Sequence, residues 1–237
     1  MTDRHNEHQK EYFSERSLPR MRASLSGTPY VRRHVEEVMR IAVASKGDRV
    51  IDLGCGLGKY TAAIHELGFA VEGLDLTPAL IDQFRLDLPQ IPAHVGDAAS
   101  PPEELHGRFD LAVGFFFMHH VADLAPILEG VRTLLGPGGR AVFLEPNPLF
   151  LGYYLQVTFT RGMTWRGERG ILRMRPRAFE EAGRAAGFTS FGHRAFGVMP
   201  PAVANRRWGR SVERAIERVP GWQRVGAFRL FWMACPR

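Results

Sequence analysis

An α/β fold, with a mostly parallel seven-stranded sheet and helices on both faces, is what this sequence predicts, and three observations predict it. Short apolar, β-branched runs alternate with segments of helical periodicity from residue 28 to residue 146. Parallel strands need crossover connections, so that alternation reads as a series of βαβ units. A glycine-rich turn, Gly54-Cys55-Gly56-Leu57-Gly58, stands between the first apolar run and the next helical segment. Two Thr-Pro pairs, Thr28-Pro29 and Thr77-Pro78, each open a helical stretch, with threonine at the cap and proline at the first helical position.

The elements follow in order. Val31, Val35, Val38 and Ala42 repeat at helical spacing up to Gly47. Residues 48–53 read as a buried strand ending in the glycine turn, followed by a helix over 60–67 and a second strand over 70–75. A helix from Pro78 to about Pro89 leads to strands at 93–96 and 109–114. A helix over 122–135 and a strand over 139–145 close the regular alternation. Residues 146–175 break the rhythm with Pro146-Asn147-Pro148 and an aromatic run. A helix over 176–186, stopped by Gly187, precedes a strand over 188–196. Residues 203–219 pattern as one amphipathic helix with Trp208, Val212, Ile216 and Val219 on its apolar face, and the last strand spans 228–234. The division expected is an N-terminal lid over 1–27 and one domain over 28–237. Within it, 28–146 is the ligand-binding core, and 147–175 and 197–226 are caps.

With 237 residues and 45% hydrophobic content, the chain can bury a substantial core. No apolar run reaches the roughly 18 residues of a membrane span, and the charged N-terminus lacks a signal-peptide apolar region. Two cysteines give neither a disulfide framework nor a zinc site. A soluble, reduced, cytoplasmic protein without a metal is expected. Charge is uneven: residues 1–150 hold 15 basic and 20 acidic side chains, residues 151–237 hold 16 and 5. Such a basic C-terminal part suits an anionic or lipid partner, or it is a set of solvated arginines.

The glycine turn excludes two nucleotide motifs. A dinucleotide fingerprint counted from Gly54 and Gly56 needs a third glycine where Lys59 stands. A phosphate-binding loop needs Ser or Thr after Gly58-Lys59, and Tyr60 stands there. What remains is D-x-G-x-G-x-G from Asp52 to Gly58, with Asp75 closing the next strand. It resembles motif I and the acidic position after strand 2 of the class I S-adenosylmethionine-dependent methyltransferases. Gly96-Asp97-Ala98, FDLAVGFFFMHHV and LLGPGGRAVFLEPNP resemble the family's later stretches in the right order. The resemblance spans about residues 45–146 and is nearest to small-molecule methyltransferases of the ubiquinone/menaquinone type. It implies the Rossmann-like class I fold and S-adenosyl-L-methionine as cofactor.

The resemblance also implies a cofactor-binding set: Tyr12, Asp52, Gly54, Cys55, Gly56, Gly58, Asp75, Leu76, Asp97, Ala98 and Phe115. Asp75 would accept the ribose hydroxyls, Asp97-Ala98 would face the adenine, and Tyr12 would close over the methionine end. Phe115-Phe116-Phe117-Met118 departs from the Asn/Asp-Pro-Pro-Tyr/Phe of amino-directed DNA and glutamine methyltransferases, which argues against those substrates. Cys55 fits the turn as a small residue more readily than as a nucleophile. His119 and His120 follow the fourth strand and Glu145 ends the fifth, so each is a candidate proton acceptor or acceptor-orienting group. One histidine could instead pack beneath the loop, and Glu145 could instead hydrogen-bond to loop amides. The expected partner is a small-molecule acceptor, anionic or hydrophobic. A lipid-linked acceptor at a membrane surface is the alternative, ahead of RNA or a non-catalytic scaffold role.

Overall fold

The computed structural model describes residues 27–159 and 165–236. The expected lid and Tyr12 therefore lie outside the described residues, apart from Gly27. Seven strands form one sheet in the order β3-β2-β1-β4-β5-β7-β6: β1 Arg49–Leu53, β2 Ala70–Asp75, β3 Ala93–Val95, β4 Phe109–Phe115, β5 Leu135–Pro146, β6 Ser190–Phe196 and β7 Phe228–Ala234. β7 runs antiparallel to both its neighbours, and the other pairings are parallel. The parallel part is what the alternation predicts, and the sheet as a whole is the mostly parallel, Rossmann-like one that the resemblance implies.

Alternation along the strands builds two cores. Val50, Leu111, Val113, Val142 and Leu144 face α1 (Pro29–Ile41), α2 (Lys59–Glu66) and α3 (Pro78–Asp87). Ile51, Leu53, Ala112, Ala141 and Phe143 face α4 (Leu124–Leu134) on the opposite side, together with α7 (Pro176–Ala185). A strand whose neighbours in sequence point to opposite faces needs apolar residues at every position when both faces are covered. That is why β1 and β4 are mostly hydrophobic, interrupted only by Asp52 and Asp110 after their first residues.

The two Thr-Pro entrances differ. The Thr28 hydroxyl accepts the Val31 N–H at 3.3 Å, whereas Thr77 makes no side-chain cap. β5 begins four residues earlier than predicted. Its pairing slips between Phe109–Leu135 and Leu111–Arg140, a bulge that Gly138 accommodates at φ +70°. The broken rhythm of 146–175 holds α5 (Leu151–Phe159), α6 (Trp165–Glu168) and a 3-10 turn at Arg169–Arg173.

Residues 203–219 do not form one helix. α8 (Pro201–Ala204) and α9 (Arg207–Glu217) are separate, with α10 (Trp222–Val225) following. The expected apolar face is largely outside: Trp208, Val212 and Val219 are exposed, and α9 instead buries Gly209 and Glu213. An ionic anchor inverts the pattern. Arg33 of α1 pairs with Glu213 and with Glu217, the latter at 2.6 Å. Glu213 also accepts the Val198 and Met199 N–H groups, so the acidic side of the helix packs inward.

Candidate active site

The chain leaves β1 towards β2 and β3, then returns to place β4 on the other side of β1. Ligands in open α/β sheets bind outside the carboxyl ends of the strands at such a reversal. A cavity of about 330 Å³ opens there, bounded by the turn after β1, the ends of β2 and β3, and residues 115–127.

The first wall is the glycine turn. Gly54 and Gly56 adopt φ +65° and +54°, which side chains with a Cβ rarely tolerate. The Gly54 and Cys55 N–H groups donate to the Leu74 carbonyl at 2.8 and 3.2 Å, which brings the turn against β2. At the tip of β2 the Asp75 carboxylate accepts the Gly56 and Thr77 N–H groups, each at 2.9 Å. Burial raises the Asp75 pKa, against the pull of these donors. Beyond β3, the Asp97 carboxylate accepts the Ala99 N–H at 2.9 Å and so rigidifies the Asp97-Ala98-Ala99 turn.

The opposite wall is aromatic. Phe115, Phe116 and Phe117 line the cavity with Tyr60. The Tyr60 ring stacks on Phe115 with centroids 4.3 Å apart and planes 2° from parallel. Its hydroxyl lies 3.2 Å from His34 Nδ1. Burial and the neighbouring Arg33 and Lys59 push His34 down to about 3, so that imidazole is neutral. Phe116 holds φ +56°, a left-handed conformation that is a genuine outlier for a bulky residue and clusters at functional sites. Lys59 supplies a cation to the lining, and partial burial lowers its pKa.

The described residues expected to bind the cofactor or accept a proton divide into two groups. Gly54, Cys55, Gly56, Asp75, Leu76, Asp97, Ala98 and Phe115 line the cavity, as does His120. Asp52, Gly58, His119 and Glu145 are not lining residues. Asp52 is buried beneath the turn and accepts the Thr61 hydroxyl at 2.6 Å. Gly58 lies where a Cβ would strike Phe84 and Leu88. Glu145, fully buried, accepts the Phe117 and Met118 N–H groups at 3.0 and 2.8 Å and holds His119 Nδ1 at 2.6 Å. The Cys55 thiol packs towards Gly73, and burial raises its pKa well above the ordinary thiol value, so it is no thiolate nucleophile. Sequence reading missed Lys59, Tyr60 and Thr77, and placed Phe116 and Phe117 only within an acceptor stretch over 115–120. The signal for Thr77 was its place two residues after Asp75, but nothing local announced the backbone conformation of Phe116.

Residues 28–190 match the family model of a methyltransferase domain. The chain belongs to the S-adenosylmethionine-dependent methyltransferases. It is 30% identical over 147 residues to a ubiquinone biosynthesis O-methyltransferase of Azotobacter vinelandii, a match covering 60% of this chain and 58% of that relative. The chain thus spans less than two thirds of that relative's length. Its fold is similar to a methyltransferase from Thermotoga maritima at TM-score 0.66 and 15% identity, covering 96% of this chain and 99% of the other. It is also similar to a Haemonchus contortus phosphoethanolamine N-methyltransferase solved with phosphomonomethylethanolamine and S-adenosylhomocysteine, at TM-score 0.60 and 18% identity over 86% of this chain and 53% of that one.

Proposed function

We propose that this methyltransferase binds S-adenosylmethionine in the cavity at the β1/β4 switch point and methylates a small hydrophobic or aromatic acceptor. The observation that carries the reading is the convergence of the glycine turn, Asp75 and the Asp97-Ala98 turn on one cavity. Its size falls at the lower end of the roughly 300–1,000 Å³ of small-molecule sites. The side chains suit each part of such a cofactor. Asp75 retains acceptor capacity for vicinal hydroxyls beyond its two backbone donors. Leu76, Ala98, Pro126 and Ile127 form an apolar slot for a purine, and the Lys59 cation suits a carboxylate.

The bound sulfonium supplies its own leaving group, so the protein's task is alignment and exclusion of water. Gly54 and Gly56 let the backbone approach without a Cβ between. Phe115, Phe116 and Tyr60 shield the reacting end and offer ring faces to a cationic or aromatic partner. His120 is the imidazole in the cavity lining and would take the proton of an acceptor hydroxyl or amine. Calorimetric titration with S-adenosylmethionine, followed by transfer of a labelled methyl group to a panel of small phenols and amines, tests the reading. Preference for NAD over S-adenosylmethionine would sink it.

A second reading, a lipid-linked acceptor at an anionic membrane surface, rests on one specific observation. α5 exposes Leu151, Leu155 and Phe159 at intervals of four residues, with Leu149 and Trp165 exposed nearby. α9 exposes Trp208 and Val212 beside Arg207 and Arg214. Exposed apolar residues beside cations suit a headgroup region. Among the described residues no helix is long and apolar enough to cross a membrane. Co-sedimentation with anionic but not zwitterionic liposomes, abolished by Leu155→Asp with Phe159→Asp, supports this reading, and no association with either overturns it.

A further inference from the structure

Residues 117–123 form one wall of the cavity: Phe117, His120, Val121, Ala122 and Asp123 all line it. Between β4 and α4 this segment has only a single 3-10 turn, Met118–His120, and few hydrogen bonds of its own. Its position is set from outside, on two sides. From β5, the Glu145 carboxylate takes the Phe117, Met118 and His119 N–H groups and the His119 ring. From the other side comes a segment that follows α5. Arg173 donates to the carbonyls of Ala122, at 2.9 Å, and Val121. Gly170 lies so close to the His119 carbonyl that any Cβ would overlap it. Glu168 Oε2 stands 3.5 Å from His119 Nε2 and accepts the Tyr153 hydroxyl at 2.5 Å.

His119 is therefore held between two carboxylates, one per ring nitrogen, in a place almost closed to water. Both ring nitrogens can donate only if the ring is an imidazolium. The groups facing it are Glu145 of β5, Glu168 of α6 with Tyr153 of α5 behind it, and His120 of its own turn, whose ring centroid is 3.9 Å away. Arg173 reaches the carbonyls of the same loop. Burial by itself would lower the His119 pKa, but Glu145 and then Glu168 outweigh it and raise it to about 9.

We propose that Glu168 is a positioning residue for the cofactor cavity: it clamps the His119 imidazolium opposite Glu145 and so fixes the 117–123 wall from the acceptor-cap side. Two features separate this role from ordinary packing. Glu168 belongs to the segment after β5, outside the strands and turns that frame the cofactor, so the clamp links that segment to the cavity wall. Its hold is also a charge interaction, which exists only while His119 carries its proton. Burying a charge between partners makes the loss of one partner costly to the geometry of the rest. This role rests on the cavity being the S-adenosylmethionine site.

The test is S-adenosylmethionine affinity by calorimetry from pH 6 to pH 10 in wild type, Glu168→Gln and Glu168→Asp. The ratio of variant to wild-type affinity cancels the ligand's own titration. Glu168→Gln, which keeps shape and deletes charge, should weaken binding about three- to tenfold near pH 8, less than the loss of a charge-assisted contact to the ligand itself, because Glu168 acts through the wall. The ratio should return towards one above about pH 9.5, where His119 is neutral in both proteins. Glu168→Asp should recover most of the affinity at pH 8. A ratio that is one throughout overturns the proposal, and so does a loss that is equal at every pH, which is the mark of a merely structural residue. Wild type that fails to bind at any pH removes the cofactor reading itself, and the clamp's function with it.

Discussion

The Asp75 carboxylate accepts the Gly56 N–H at 2.9 Å, so the end of β2 grips the middle of the glycine turn that follows β1. One side chain thus shapes the turn and presents acceptor oxygen to the cavity. Removing it exposes a buried N–H and deletes the proposed ribose partner together.

Asp75→Ala is accordingly predicted to weaken S-adenosylmethionine by ten- to a hundredfold. Loss of a charged hydrogen-bond acceptor costs about 1.5–3 kcal/mol. Asp75→Asn keeps one carbonyl acceptor and should fall between wild type and alanine. Isothermal titration of the three proteins checks the order, and equal affinities would remove Asp75 from the site.

Gly58 tests a different link, from turn to core. It sits at φ +81°, and an added Cβ would lie 2.6 Å from Leu88 Cδ1 and closer still to Phe84. Phe84 is fully buried and has nowhere to retreat. Gly58→Ala should therefore lower unfolding free energy by about 2–4 kcal/mol, combining overpacking with left-handed strain. Urea denaturation measures it. An unchanged midpoint would mean that the turn relaxes freely.

Asp75 and Gly58 also show what could be read in advance. Asp75 was legible because a strand-ending acid after a glycine-rich turn is a local pattern. The sheet was legible because β1, β4 and β5 are largely buried on both faces and so carry long apolar runs. Gly58 looked like a ligand-contact glycine, yet its constraint comes from Phe84, 26 positions along the chain. His119 and Glu145 stay open in the sequence between chemistry and support of the loop for the same reason. Their placement at strand ends is local information, whereas their mutual bond and Glu168 beyond it are tertiary. α9 misled most clearly. Its apolar stripe was real, but the Arg33 contacts with Glu213 and Glu217 decided which face packs.

Asp52 carries a pH dependence of definite sign. Burial raises its pKa from 3.8 to about 7, the Thr61 hydrogen bond opposing and the Asp75 charge assisting. The folded state therefore holds this proton more tightly than the unfolded chain. Stability falls as pH rises from about 4 to about 7 and levels off above. Asp52→Asn keeps an acceptor for Thr61 and removes the titration. Its stability relative to wild type should rise across that window by an amount on the order of 1–3 kcal/mol. Chemical denaturation at pH 4.5, 6 and 7.5 would show a constant difference if Asp52 stayed ionised throughout. His119 has the same sign in a higher pH window. Its raised pKa contributes stability that is complete below about 6.5 and is lost as pH climbs through about 9.

His120 is the last of the three candidate proton acceptors and the one that borders the cavity. His119 and Glu145 hold each other behind the wall, so neither can reach an acceptor without dismantling the loop. If His120 takes the acceptor's proton, His120→Ala should lower kcat by roughly 10²–10⁴-fold while S-adenosylmethionine affinity stays within a few fold of wild type. The acidic limb of the pH–rate profile should disappear with the imidazole. His119→Gln should behave differently, weakening cofactor binding and stability first, because it loosens the wall. The distinction is a split between kcat and Kd, read on the same preparations. A His120→Ala enzyme that keeps most of its kcat and raises only the acceptor KM would show that alignment alone drives the transfer, as expected for an acceptor that arrives already deprotonated.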